Sequence, residues 1–175
     1  MKSSSMRLLS AILLIISTSV QIQAPAYKNV KIAKKNSEKQ SQEKKSSKSQ
    51  EDKNTEAAKK IFESYKSAYT SYNFEGYDRH YDKNLRAVIT VGGQTKNING
   101  NTWRALSRKT IAQMRSQGIK SQFGEPIFSA KGEYVRVRFQ VRTLHEVDII
   151  DWLLKKDGTG QWKIIEERQK ATIQR

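Results

Sequence analysis

The chain has 175 residues and a formal net charge of +16, with 36% hydrophobic and 29% charged residues. That length accommodates one domain with tails, and the absence of cysteine excludes disulfides, thiolate metal sites and a cysteine nucleophile. The basic balance attracts anionic partners without specificity, whether nucleic acid, envelope polymer or lipid head group.

The charge is spread over two different kinds of sequence. Residues 27–60 carry 11 lysines against 5 acids and almost no large apolar side chain, whereas residues 61–175 carry +8 and nearly all the aromatics. Residues 1–26 have the layout of a secretory signal peptide: Lys2 and Arg7, then the apolar run Leu8–Ile16, then Ala24-Pro25-Ala26 as a small-x-small cleavage site. Cleavage after Ala26 is expected, which makes the protein secreted or periplasmic and sets specific nucleic-acid binding aside. An uncleaved anchor is the competing reading, but Ser17, Thr18, Ser19, Gln21 and Gln23 dilute the run before it reaches spanning length. Residues 27–54 read as a disordered basic linker, because they lack any apolar period with which to offset ordering entropy.

From Thr55 a domain is expected. Ala58, Ile61, Phe62, Tyr65, Ala68, Tyr69 and Tyr72 recur at helical spacing, which predicts a helix over about 55–72. Asn73 can cap a short helix, Phe74–Tyr81. Leu85–Val91 and Gln94–Ile98 flank Gly92-Gly93 and read as a hairpin. Thr102 is expected to cap a helix, Trp103–Gln117, with Trp103, Leu106, Thr110, Ile111 and Met114 inward and a basic outer face. Gln122–Ala130 reads as an edge strand because Pro126 lacks a ladder N–H. Val135, Val137, Phe139 and Val141 alternate with Arg136, Arg138, Gln140 and Arg142, so the arginines should line an outer face or a subunit interface. On the next strand, 145–155, Glu146 and Asp148 are expected to pair with Arg138 or Arg142. On the last strand Trp162, Ile164 and Glu166 are assigned to one face, Ile165 and Glu167 to the other. Two-sided apolar content in the last two strands (Ile150, Trp152, Leu154, Ile165) suggests that the outer sheet face is partly covered, as in a homodimer through the sheet.

This order, helix, short helix, hairpin, helix and long antiparallel strands, resembles the nuclear transport factor 2-like (SnoaL-like) fold. The resemblance rests on Tyr72-Asn-Phe-Glu-Gly-Tyr77 followed by His80-Tyr-Asp82, on Trp103 with Arg108, on Val135-Arg-Val-Arg-Phe-Gln-Val141, on Trp152-Leu-Leu-Lys-Lys156 and on Gly160-Gln-Trp-Lys-Ile-Ile-Glu-Glu167. It spans about residues 56–170 and looks like the domain appended to some periplasmic L,D-transpeptidases, without their catalytic Cys and His motif. It implies an α+β domain over 55–175: a cone of curved antiparallel sheet packed on about three helices.

Such a fold does not by itself specify an activity. The motifs are mostly core and turn residues, and no catalytic constellation stands out. The expectation is therefore a non-catalytic binding or interaction domain of the bacterial cell envelope, contacting peptidoglycan or an envelope protein, with no cofactor. Its candidate ligand contacts are Tyr65, Tyr69, Asp78, His80, Trp103 and Arg104, with Arg136, Arg138, Arg142 and Trp152 as a basic surface or interface. Some relatives of the fold are isomerases or hydratases, which implies an alternative in which Asp78, His80 or Asp82 is the base and Tyr65 or Tyr69 the donor. A further alternative is a periplasmic component of a secretion apparatus. His80 and His145 lie 65 residues apart and share no ligand spacing, so no metal site is expected.

Overall fold

The structure is a computed structural model that describes residues 39–173, with side chains from Ser49 onward. The signal segment, its cleavage site and residues 27–38 of the expected linker lie outside the described residues. The elements are α1 (Lys39–Thr70), α2 (Phe74–Asp78), β1 (Tyr81–Val91), β2 (Gln94–Asn99), α3 (Gly100–Gln117), β3 (Gln122–Phe123), β4 (Ile127–Lys131), β5 (Tyr134–Arg142), β6 (Glu146–Lys156) and β7 (Trp162–Ile173).

The first helix starts at Lys39, not near Thr55. Lysine, glutamine and glutamate are good helix formers and make up most of residues 39–54, so that stretch propagates a helix that the apolar face downstream has already nucleated. Asn54 anchors the join. It is 4% exposed, accepts from Gln50 at 2.9 Å and donates to the Gly132 carbonyl at 3.1 Å. The cap of α3 also differs from expectation. Asn99 rather than Thr102 is the N-cap, and its side chain accepts from the Thr102 N–H at 2.9 Å. Gly118 ends that helix at φ +64, where a side chain would be strained. The short α2 is shorter than expected, since Tyr81 opens β1 instead of closing a helix.

One sheet runs in the order β2-β1-β7-β6-β5-β3, with β4 also pairing β5. All pairs are antiparallel except β1 with β7. Pro126 divides the expected edge strand in two: Gln122 and Phe123 pair near Val141, and Ile127–Lys131 pair farther along β5. Helix α1 lies along the concave face. Phe62 meets Phe139 at 5.0 Å and lies within 6.3 Å of Phe123, Phe128 and Trp152. Trp152, fully buried, packs edge-on to Tyr65 at 4.5 Å and Phe139 at 4.6 Å.

The alternation of β5 is as expected, with Val135, Val137, Phe139 and Val141 buried and the arginines outside. Two corrections follow from β6 and β7. Val137 faces Trp152, and Phe139 faces Ile150, so Ile150, Trp152 and Leu154 belong to the inner face, as do Glu146 and Asp148 by parity. The acids therefore cannot reach Arg138 or Arg142. Asp151 occupies the outer position and takes Arg136 at 3.3 Å and Arg138 at 2.7 Å. The second correction is a bulge. Leu154 pairs with Ile164 while Leu153 pairs with Glu166, so Ile165 is an extra residue in β7. An extra residue reverses the alternation beyond it. Ile164 and Glu167 both end up buried in the interior, and Glu166 turns outward to Arg86 and Arg168.

Trp152→Ala should cost about 3–5 kcal/mol, the usual range for deleting a buried aromatic. Equilibrium denaturant unfolding measures this, and a loss under about 1 kcal/mol would contradict the packing described.

Candidate ligand-binding cavity

Between α1, α3 and the inner faces of β6 and β7 a cavity of about 100 Å³ remains. The Phe62–Phe139–Trp152 cluster packs closely and does not line it; from β6 the lining comes from Glu146, Asp148 and Ile150, so the space lies toward the start of that strand. Its walls include Tyr65, Tyr69 and Tyr77, then Trp103, Ser107, Thr110 and Met114 of α3, and Ile89 and Ile150 from the sheet. Three carboxyl groups reach it: Glu146, Asp148 and Glu167.

Glu167 is the deepest, at 1% exposure. Burying an ionised carboxylate without partners is costly, and here two donors converge on one oxygen. The Tyr81 hydroxyl donates to Oε2 at 2.5 Å and the Trp152 indole N–H at 2.9 Å. The Tyr77 hydroxyl stands 3.3 Å from both Tyr81 Oη and Ser107 Oγ, which extends the polar chain to α3. Burial pushes the Glu167 carboxyl up to about 7, even though the hydrogen bonds from Tyr81 and Trp152 pull the other way and the Asp148 charge adds to the rise. Burial likewise raises the hydroxyls of Tyr65, Tyr69, Tyr77 and Tyr81, so all four are neutral donors.

Glu146 and Asp148 lie one alternation apart on β6 and share a hydrogen bond. Burial, then the neighbouring Asp148 charge, lifts Glu146 to about 8. Burial also raises Asp148, against hydrogen bonds from Gln169 and Glu146. Two carboxyls that close hold one proton between them near neutrality. Glu146 Oε1, Asp148 Oδ1 and Trp103 Nε1 are buried atoms with no hydrogen-bond partner among the described residues.

Of the expected ligand contacts, Tyr65, Tyr69 and Trp103 line this cavity. Asp78, His80 and Arg104 do not, which corrects their grouping with the other three. Arg104 donates to Asp78 at 2.8 Å and to the Asp82 carbonyl at 2.8 Å, and so clamps α3 to the α2–β1 junction. The His80 ring contacts Ser64 at 3.1 Å, and burial together with Arg79 and Lys163 depresses it to about 4. Arg136 and Arg138 are engaged with Asp151 on the outer face, and Arg142 is exposed there. Trp152 is wholly interior, so it belongs to no surface or interface. Glu146, Asp148 and Glu167 were the residues missed. The first two share parity with Trp152 and Leu154, a signal that assigns them inward. The bulge that turns Glu167 inward has no comparable signature in the sequence.

The architecture has solved counterparts. An NTF2-like protein of unknown function from Shewanella baltica superposes with a TM-score of 0.55 at 6% identity, covering 69% of this chain and 94% of that one. One from Silicibacter pomeroyi gives 0.55 at 12% identity, over 70% of this chain and 98% of the other. A protein named as a "putative ketosteroid isomerase" from Shewanella frigidimarina gives 0.51 at 16% identity, over 65% and 94%. No protein-family model matches the sequence, and no curated protein matches it. The chain thus has the nuclear transport factor 2-like fold, an α+β cone of largely antiparallel sheet.

The raised carboxyls make stability depend on pH. The unfolded chain releases these protons near the ordinary glutamate value of about 4.3. The folded chain holds them to about 7 at Glu167 and about 8 at Glu146. Between those limits the folded state binds more protons, so stability falls as pH rises. His80 works in the opposite sense, but only between about 4 and its unfolded value near 6.5. Thermal unfolding should therefore show the midpoint dropping from about pH 6.5 to pH 8, and Glu146→Gln should flatten the upper part of that drop. A midpoint that rises over this interval would refute the assignment.

Proposed function

We propose that this chain is an exported, non-catalytic binding domain of the cell envelope, whose cone cavity takes a small polar ligand. The observation that carries the reading is the set of unpartnered buried polar atoms around one cavity, Trp103 Nε1, Glu146 Oε1 and Asp148 Oδ1. Buried polar groups are nearly always satisfied, so a cavity that gathers orphaned donors and acceptors is matched to something absent from the chain. The signal-peptide layout supports export. The basic composition supports retention near anionic envelope polymers such as peptidoglycan, or near an envelope protein. The likeness to the domain appended to L,D-transpeptidases belongs to this same reading.

A second reading has one observation in its favour. A carboxyl held near pH 7–8 beside neutral tyrosine donors is the equipment of proton transfer next to a carbonyl, and one structure of the same fold carries an isomerase name. Against it, Glu167 already accepts from both Tyr81 and Trp152 through one oxygen, which fixes it as a structural acceptor.

Thr110 lines the cavity from α3 and is half-buried. Thr110→Phe should fill the space while leaving the fold intact. Mature protein should gain thermal stability from a small-molecule extract of the cell envelope, and the Thr110→Phe protein should not. An equal response from both would sink the cavity reading. Turnover of the extract, seen as product by mass spectrometry and lost in Asp148→Asn, would replace binding with catalysis.

A further inference from the structure

The polar atoms of the cavity differ in kind, and their difference defines a ligand. Trp103 sits in the first turn of α3, is 7% exposed, and its indole Nε1 has no partner. An indole N–H only donates, so its complement is an acceptor oxygen. Glu146 and Asp148 reach the same cavity from the start of β6, each with an unpartnered oxygen. Sharing one proton, they keep about one negative charge between them. Their complement is a donor that carries positive charge. The chain as a whole is strongly basic, yet among the described residues no lysine or arginine lines this cavity, and the one imidazole there, His145, is exposed.

The walls agree with that complement. Tyr69 stacks on Tyr65 at 5.9 Å and meets Tyr77 at the same centroid distance. Aromatic faces beside carboxylates attract an ammonium group through the ring quadrupole, and more strongly where water is displaced. A volume of about 100 Å³ limits the occupant to a few heavy atoms, or to the end group of something larger.

We infer that the cavity selects a small organic ammonium group bearing a hydrogen-bond-accepting oxygen a few bonds away. The ammonium meets Glu146 and Asp148, and the oxygen meets the Trp103 N–H. This rests on the cavity-binding reading above and supplies its ligand class.

The test uses three two-carbon probes of similar size and different charge: ethanolamine as the cation, ethylene glycol as the neutral analogue, and glycolate as the anion. Each is titrated into the mature protein at pH 8 and constant ionic strength. The indole N–H signals are followed by NMR, and Trp103→Phe identifies the Trp103 signal by its loss. Ethanolamine should shift that signal saturably and bind at least tenfold more tightly than ethylene glycol or glycolate. Glu146→Gln with Asp148→Asn should remove the preference, and Asp148→Asn alone should weaken it if the double variant does not fold. Followed through the remaining signals, Trp103→Phe should weaken ethanolamine binding several-fold. Equal binding of ethylene glycol, tighter binding of glycolate, or undiminished ethanolamine binding in the carboxyl variants would overturn the ammonium assignment and leave the cavity-binding reading standing. Undiminished binding in Trp103→Phe would overturn the oxygen contact. If no probe shifts any signal at saturating concentration, the ammonium assignment and the cavity-binding reading both fall.

Discussion

Glu167 carries a carboxyl group into the interior with 1% of its surface exposed, and the rest of the inner architecture is arranged around keeping it there. Tyr81 opens β1, Trp152 lies mid-β6 and Glu167 is on β7, so three strands are tied at one oxygen. An unpaired buried acceptor would cost about 1–3 kcal/mol, more if charged. The two donors offset that cost only while the strands keep their register. The same contacts fix the rings of Tyr81 and Trp152, against which Tyr65, Tyr77 and Phe139 pack. The hydrogen bonds and the aromatic cluster thus depend on one another. Losing the register would strand the carboxyl, and losing the rings would open it to water.

The register itself depends on the bulge at Ile165. Without the extra residue, Glu166 would turn inward and Glu167 outward. Glu166 now sits between Arg86 and Arg168 on the outer side. Burial raises its carboxyl, but those two guanidinium groups outweigh burial and hold it below the usual range. Adjacent glutamates in one strand therefore take opposite electrostatic roles. One is an ion-paired group on the outer face, itself only 7% exposed, and the other a largely dry acceptor.

The cavity forms because filling is uneven. Phe62, Phe139 and Trp152 pack the interior closely, whereas α3 presents Ser107 and Thr110 between its larger Trp103, Leu106, Ile111 and Met114 to the cavity. Small side chains on that helix leave room that the tyrosines do not close. On the outer face Asp151 takes both Arg136 and Arg138 while Arg142 stays exposed, and Asp78 takes Arg104, so much of the expected recognition strip is tied up in ion pairs yet stays net positive. The interior of the domain is thus acidic and its exterior basic, a separation that the net charge alone conceals.

Much of this was legible from the chain. The apolar period of residues 58–72, the Gly92-Gly93 turn, the amphipathic α3 and the strict alternation of β5 all report local geometry, because each depends only on neighbours within a few residues. Those signals were enough to point to the cone fold. What local pattern could not decide was pairing. The partner of Arg138 depends on which residue of β6 stands opposite, and the side taken by Glu167 depends on an extra residue whose only trace is a shifted register. The docking of α1 at Asn54, which reaches Gly132 78 residues away, likewise has no local signature. The sequence by itself determined the elements and their buried faces, since periodicity is a property of one segment. Only the tertiary structure decided which carboxyls face the cavity, since that follows from register between segments far apart in the chain.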